Sequence, residues 1–273
     1  MVLLVVVFDA AYHGERICYV GFLHLHRLEP ALQRLVLLDI LAVLVEGGGA
    51  DDLDLAAGEG GLQDVARIHG TLALTGRGNG VDLVNRLINK KIYYRRAVRI
   101  ASGFPDIPFP DGWKANIQGV DLNLQFPAGW DMAKKIKFEQ GYNRPAPRDY
   151  VGQTPLSVPE STAMFDFTRN RDFSLILAYH TQGEVIYWKY LDEEPEGARR
   201  IAEYFSKVSG YRIEETPAAS GYAGYKDWFI NFYDRPGYTI EAGLGENPLP
   251  MGQFPKIYKD NVGILLGGMT ELE

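Results

Sequence analysis

The stretch Phe173-Ser-Leu-Ile-Leu-Ala-Tyr179 shows no polar alternation. A strand with one solvated face alternates apolar and polar residues, so a continuous apolar run predicts a strand covered on both faces. Such a sheet needs helices on either side, and the neighbouring text supplies them. Ser157-Val-Pro-Glu160 reads as a capping box with Pro in the first turn, which predicts a helix to about Thr168. Glu196 to Ser209 predicts a second helix, stopped by Gly210 at C′. Gly119 to Leu122, Trp228 to Tyr233 and Tyr238 to Glu241 read as further strand segments; the first runs into the loop Phe126-Pro-Ala-Gly-Trp130. Strands alternating with helices predict an α/β fold with a mixed central sheet flanked by helices.

The composition is not uniform. Residues 1–78 contain no Lys, Ser, Asn or Trp, whereas the other 195 carry all 11 lysines and 29 of the 33 aromatics. The Gly- and Asp-rich stretch from Glu46 to Gly61 has no aromatic anchor, and glycine loses the most freedom on ordering. Leu35 to Val45 is nearly all aliphatic and suits a buried helix or strand. A boundary is therefore placed near Gly78, with an atypical segment at 1–78 and a conventional one at 79–273.

Several classes are excluded. A formal net charge of −7 argues against a nucleic-acid groove. A single cysteine, Cys18, rules out a disulfide framework. No apolar run reaches the roughly 18–20 residues that cross a membrane. Met1 to Phe8 lacks a basic n-region and meets Asp9 at once, so it reads as a buried strand rather than a secretory signal, and the expected address is cytoplasmic. Neither a Gly-x-Ser-x-Gly elbow nor a phosphate-binding glycine loop is present. His24-Leu-His26 reads as a solvated face, because no further metal pattern follows it.

Ligands of open α/β sheets gather beyond the carboxyl ends of the strands. Two residues fall there: His180, after the apolar run, and Glu241, after Tyr-Thr-Ile. From position alone, the pair suits either a metal ligand with a general base or two polar residues capping strands.

The residues around them bear on the choice. His180 stands in Leu177-Ala-Tyr-His-Thr-Gln-Gly-Glu-Val-Ile-Tyr-Trp188, and Glu241 in Arg235-Pro-Gly-Tyr-Thr-Ile-Glu-Ala-Gly-Leu-Gly-Glu-Asn-Pro-Leu-Pro250. Before both lies Trp113-Lys-Ala-Asn-Ile-Gln-Gly-Val-Asp-Leu-Asn-Leu-Gln-Phe-Pro-Ala-Gly-Trp130. Together, over roughly residues 79–273, these resemble the zinc carboxypeptidase family (peptidase M14), and most of all its bacterial γ-D-glutamyl-L-diamino acid endopeptidase branch. The resemblance implies a zinc-carboxypeptidase-like (phosphorylase/hydrolase-like) fold and hydrolysis of peptidoglycan-derived peptides with one Zn²⁺. The family holds that ion with an His-x-x-Glu pair and a later His, leaving room for water. His180 matches the later ligand, and Glu241 the glutamate that takes a proton from the zinc-bound water. Asn123 matches an asparagine on the substrate carboxylate. Lys114, or else Gln118, stands where the family has a basic residue polarising the scissile carbonyl.

The resemblance also has departures. Leu124 replaces the arginine with which true carboxypeptidases clamp a terminal carboxylate, as in the endopeptidase branch. The family's mobile-loop tyrosine falls on Ala219 by gapless counting, with Tyr222 and Tyr225 as substitutes; Tyr222 is taken as the substrate-binding candidate. At the front, Val5 to Gly14 resembles the strand leading to the first zinc pair. There His13 matches a zinc ligand, but Glu15 comes one residue early. Residues from about 15 to 78 are then either out of frame relative to an ancestral gene or a divergent Ala/Leu/Gly-rich segment. Two functions follow: a zinc-dependent peptidase, or a remnant or peptide-binding module without a complete zinc site.

Overall fold

A computed structural model describes residues 2–12, 15–24, 91–247 and 249–270. The boundary near Gly78, the segments Leu35–Val45 and Glu46–Gly61, and His13 lie outside them, as does His26. Among the described residues no helix is long and apolar enough to cross a membrane.

The centre is a mixed sheet. Its strands are β1 (Val2–Tyr12), β2 (Glu15–His24), β3 (Leu175–His180), β4 (Val185–Tyr187), β5 (Arg212–Glu214) and β6 (Gly237–Glu241), in the spatial order β2-β1-β3-β6-β4-β5. β1, β3 and β6 run parallel, β2 is antiparallel to β1, and β4 is antiparallel to β6. The helices are α1 (Lys91–Ala101), α2 (Trp130–Glu139), α3 (Pro159–Arg169), α4 (Ala198–Ser209), α5 (Tyr225–Tyr233) and α6 (Phe254–Thr270).

The apolar run behaves as its composition dictates. Leu175 and Leu177 pack on one face with Ile201, Phe205 and Ile264 from α4 and α6. Ile176 and Ala178 pack on the other with Met164, Phe167, Trp228 and Phe229 from α3 and α5. Each large side chain so buried contributes about 1.5–3 kcal/mol of transfer free energy. Gly237 lets α5 come close: a Cβ there would stand 3.3 Å from Ile230 and 3.4 Å from Ile176.

Three local expectations are corrected. Trp228–Tyr233 is not a strand but most of α5, because Gly224 N–H donates to Asp227 Oδ2 (3.3 Å) at the third helical position and so starts a helix. Gly119–Leu122 is not a strand; it enters a 3₁₀ turn at Leu122–Leu124, where Asp121 Oδ1 accepts the Asn123 N–H at 3.2 Å. Ser157 does not cap α3. Its N–H and hydroxyl both go to Gln125 Oε1, at 2.8 and 3.0 Å, and α3 starts from Val158 without a side-chain cap.

Candidate active site

β3 and β6 end together. Their last residues, His180 and Glu241, are register partners, so their side chains share one face of the sheet at its carboxyl edge. The turns beyond are tied to each other. Ala242 N–H donates to the His180 carbonyl at 2.8 Å and Gly183 N–H to the Gly243 carbonyl at 2.7 Å. Thr181 Oγ1 donates to Asn247 Oδ1, and Asn247 Nδ2 to the Thr181 carbonyl, both at 2.9 Å.

His180 is buried. Burial, and then the charge of Lys114, push its pKa down to about 3, so it is a neutral imidazole near pH 7. That is the form that ligates a metal. Glu241 is half-buried beside it.

Lys114 comes from a different segment. Its backbone N–H donates to the Pro147 carbonyl at 2.7 Å, and its Nζ lies 3.7 Å from Asp121 Oδ2. Gln118, the other position considered for this charge, is exposed in the turn beyond. Lys114 is a cation whose charge reaches His180. Asp121 is almost fully buried and does several things at once: Oδ1 fixes the Asn123 backbone, while Oδ2 faces Lys114 and accepts the Asp149 N–H at 3.0 Å. Sequence reasoning does not single out Asp121 as a site residue, although an Asp two residues before Asn is an Asx-turn signal.

Asn123 faces the loop Tyr222-Ala223-Gly224: a Cβ on Gly224 would stand 3.8 Å from Asn123 Oδ1. Tyr222 is half-buried and packs with Leu124 and Trp130. Its ring also closes over Gly129, where a Cβ would meet Tyr222 Cδ1 at 2.6 Å. Tyr225 is committed to the core, with its hydroxyl 2.9 Å from Thr168 Oγ1. The structure thus pairs His180 with Glu241, sets the charge of Lys114 against His180, and ties Lys114 and the Asn123 backbone to Asp121. Leu124 is buried and offers no anion a partner.

A catalytic zinc site takes three protein ligands and an open position. His180 has the chemistry of one. Among the described residues no three His, Cys, Asp or Glu side chains come together. His13 lies outside them, and Glu15 opens β2 opposite Tyr12.

The chain is similar to known proteins. A family model for zinc carboxypeptidase, peptidase M14, matches residues 95–263. The chain is 51% identical over 158 residues to gamma-D-glutamyl-L-diamino acid endopeptidase 1 of Lysinibacillus sphaericus, covering 58% of this chain and 38% of that protein. It is 45% identical over 153 residues to the uncharacterized protein YqgT of Bacillus subtilis, covering 56% and 40%. It therefore spans about two fifths of the length of these relatives. Among solved structures, carboxypeptidase A from Helicoverpa armigera superposes with a TM-score of 0.45 at 18% identity, covering 56% of this chain and 42% of that one.

Proposed function

The chain belongs to the zinc carboxypeptidase family, peptidase M14, and on that premise we propose that it is a zinc-dependent peptidase cutting γ-D-glutamyl-diamino acid bonds in cell-wall peptides. The observation that carries this reading is the pairing of His180 with Glu241 at the adjoining ends of β3 and β6. The substrate class is supported by the Lysinibacillus relative, whose name states it. The burial of Leu124, where an arginine would hold a terminal carboxylate, suits a peptide that continues past the bond cut.

In this reading His180 and His13 hold the zinc ion. When bound, Zn²⁺ supplies Lewis-acid activation of water near neutral pH. His180 needs no proton removed to serve, because its surroundings keep it neutral. Glu241 accepts a proton on its carboxylate and returns it to the leaving amine. Lys114 Nζ, restrained by Asp121, donates to the scissile carbonyl oxygen as negative charge develops there. The Asn123 amide orients a substrate carboxylate, and Tyr222 walls the substrate groove. Residues 79–273 carry the rest of this machinery; the atypical 1–78 contributes His13 and the strand before it.

The test is Glu241→Gln assayed on a γ-D-glutamyl-diaminopimelate peptide. The expected result is a loss of roughly a hundredfold to ten-thousandfold in kcat with zinc affinity retained. Full activity in that variant overturns the mechanism.

A further inference from the structure

α5 opens on a pair of charges that its position does not favour. Lys226 is the second residue of the helix, where the positive end of the backbone dipole repels a cation, and both it and Asp227 beside it are buried. Lys226 Nζ forms an ion pair with Asp227 Oδ1 and donates to the Lys189 carbonyl at 2.7 Å. Taking two charges out of water can cost more than their attraction returns, and apolar residues of the same size often hold a fold as well. The pair is therefore better explained by what it orients than by stability.

What it orients is the segment in front of the helix. Asp227 gives Oδ1 to Lys226 and turns Oδ2 to the Gly224 N–H at 3.3 Å. That approach needs glycine, since a Cβ at position 224 would stand 2.6 Å from the same oxygen and 3.8 Å from Asn123 Oδ1. The residue before it is fixed as well. Ala223 N–H donates to the Ala128 carbonyl at 2.7 Å, and the Ala223 carbonyl accepts the Phe126 N–H at 3.0 Å, at a left-handed φ of 61°. Tyr222 and Tyr190 then close on one point: a Cβ on Gly129 would meet Tyr222 Cδ1 at 2.6 Å and the Tyr190 hydroxyl at 2.8 Å. Lys189 roots the arrangement. Its carbonyl takes Lys226, and its Nζ holds Glu215 Oε1 at 2.8 Å where the connection from β5 to α5 begins. Residues 215–224 are thus tied at both ends to Lys189.

We propose that Asp227 is a positioning residue: through the Gly224 N–H it sets the segment Tyr222–Gly224 against Asn123, while Lys226 holds Asp227 from the Lys189 carbonyl. This rests on the peptidase reading for what Asn123 and Tyr222 do to a substrate. His180 and Glu241 are placed instead by the register of β3 with β6, so loss of the Asp227 contact weakens substrate binding and leaves the reacting groups where they are. An interaction made equally in ground state and transition state changes KM and not kcat.

Removing Asp227 alone would leave a buried lysine charge uncompensated and endanger the fold, so the experiment compares two double variants of the full chain. Lys226→Met with Asp227→Asn removes both charges but keeps an acceptor for the Gly224 N–H. Lys226→Met with Asp227→Ala removes the acceptor too. Amide hydrogen exchange is read at residues 222–224, and kcat and KM are measured on γ-D-glutamyl-diaminopimelate. The alanine variant is expected to exchange about tenfold faster there and to raise KM about tenfold, with kcat within about twofold of the parent. The asparagine variant is expected to rescue both, to within about threefold of the parent. A helix cap with no further role would lower the melting temperature of the alanine variant and leave KM alone; that result overturns the proposal, as does equal exchange in the two variants. If the parent turns over nothing, the peptidase reading fails on its own, and the exchange comparison alone decides whether Asp227 sets this segment.

Discussion

Glu160 is more than nine-tenths buried at the start of α3, with Oε1 accepting from Asn116 Nδ2 at 3.3 Å and Oε2 without a hydrogen-bond partner among the described residues. Asn116 in turn takes the N–H groups of Gln118 and Val120 on its Oδ1, at 3.0 and 3.1 Å, and so shapes the turn between Lys114 and Asp121. Burial raises the Glu160 carboxyl above its ordinary 4.5, more than its hydrogen bonds lower it. A carboxyl raised on folding contributes stability that is fully present below its unfolded pKa and is lost as pH rises through the folded value. Glu160→Gln keeps the acceptor for Asn116 and removes the titration. Thermal unfolding against pH should therefore show the variant gaining on the parent as pH climbs above about 4.5, with the two converging in acid. A constant difference across that range contradicts the assignment. None of this is readable from sequence, where Glu160 looks like the far end of a capping box. The spacing Ser157–Glu160 is the same whether Ser157 bonds the helix or Gln125.

At the scale of elements, β3, β6 and α4 are legible because each carries its own local signal: an unbroken apolar run, a short β-branched and aromatic segment, and a helix ended by Gly210 at φ 80°. α5 is not, since an aromatic run such as Trp228–Tyr233 has no period to separate buried helix from strand. The turn at Asp121 escapes for a different reason. Its hydrogen bonds go to Asp149 as well as to Asn123, and a partner 28 residues away leaves no pattern in the sequence. The packing of α6 on α4 gives a prediction of its own. Gly263 lies against Val208, and a Cβ there would stand 2.8 Å from Val208 Cβ, an atom fixed to its helix. Gly263→Ala gains about 1 kcal/mol of helix propensity but forces the helices apart at a cost of about 1–3 kcal/mol. The crowding outweighs the propensity. Urea unfolding should show a net loss of about 1 kcal/mol, the difference between those two effects. A stabilised variant would mean that α6 does not approach α4 this closely.

Across the whole molecule, the candidate site draws on segments scattered through the chain: Lys114, Asp121 and Asn123 from the connection between α1 and α2, and His180 and Glu241 from strand ends. The strand ends can be named from sequence because the position of a ligand beyond a parallel strand is a rule of the architecture. The Lys114–Asp121–Asp149 contacts cannot, because only the folded connections bring them together. The central claim is that this assembly is a zinc centre, with His180 as one ligand. Elemental analysis of the purified chain, before and after treatment with a chelator, tests it directly. The expected result is about one zinc per chain, removed by the chelator and absent from His180→Ala. Zinc no higher than background in the untreated parent would contradict it and leave a peptide groove without a catalyst.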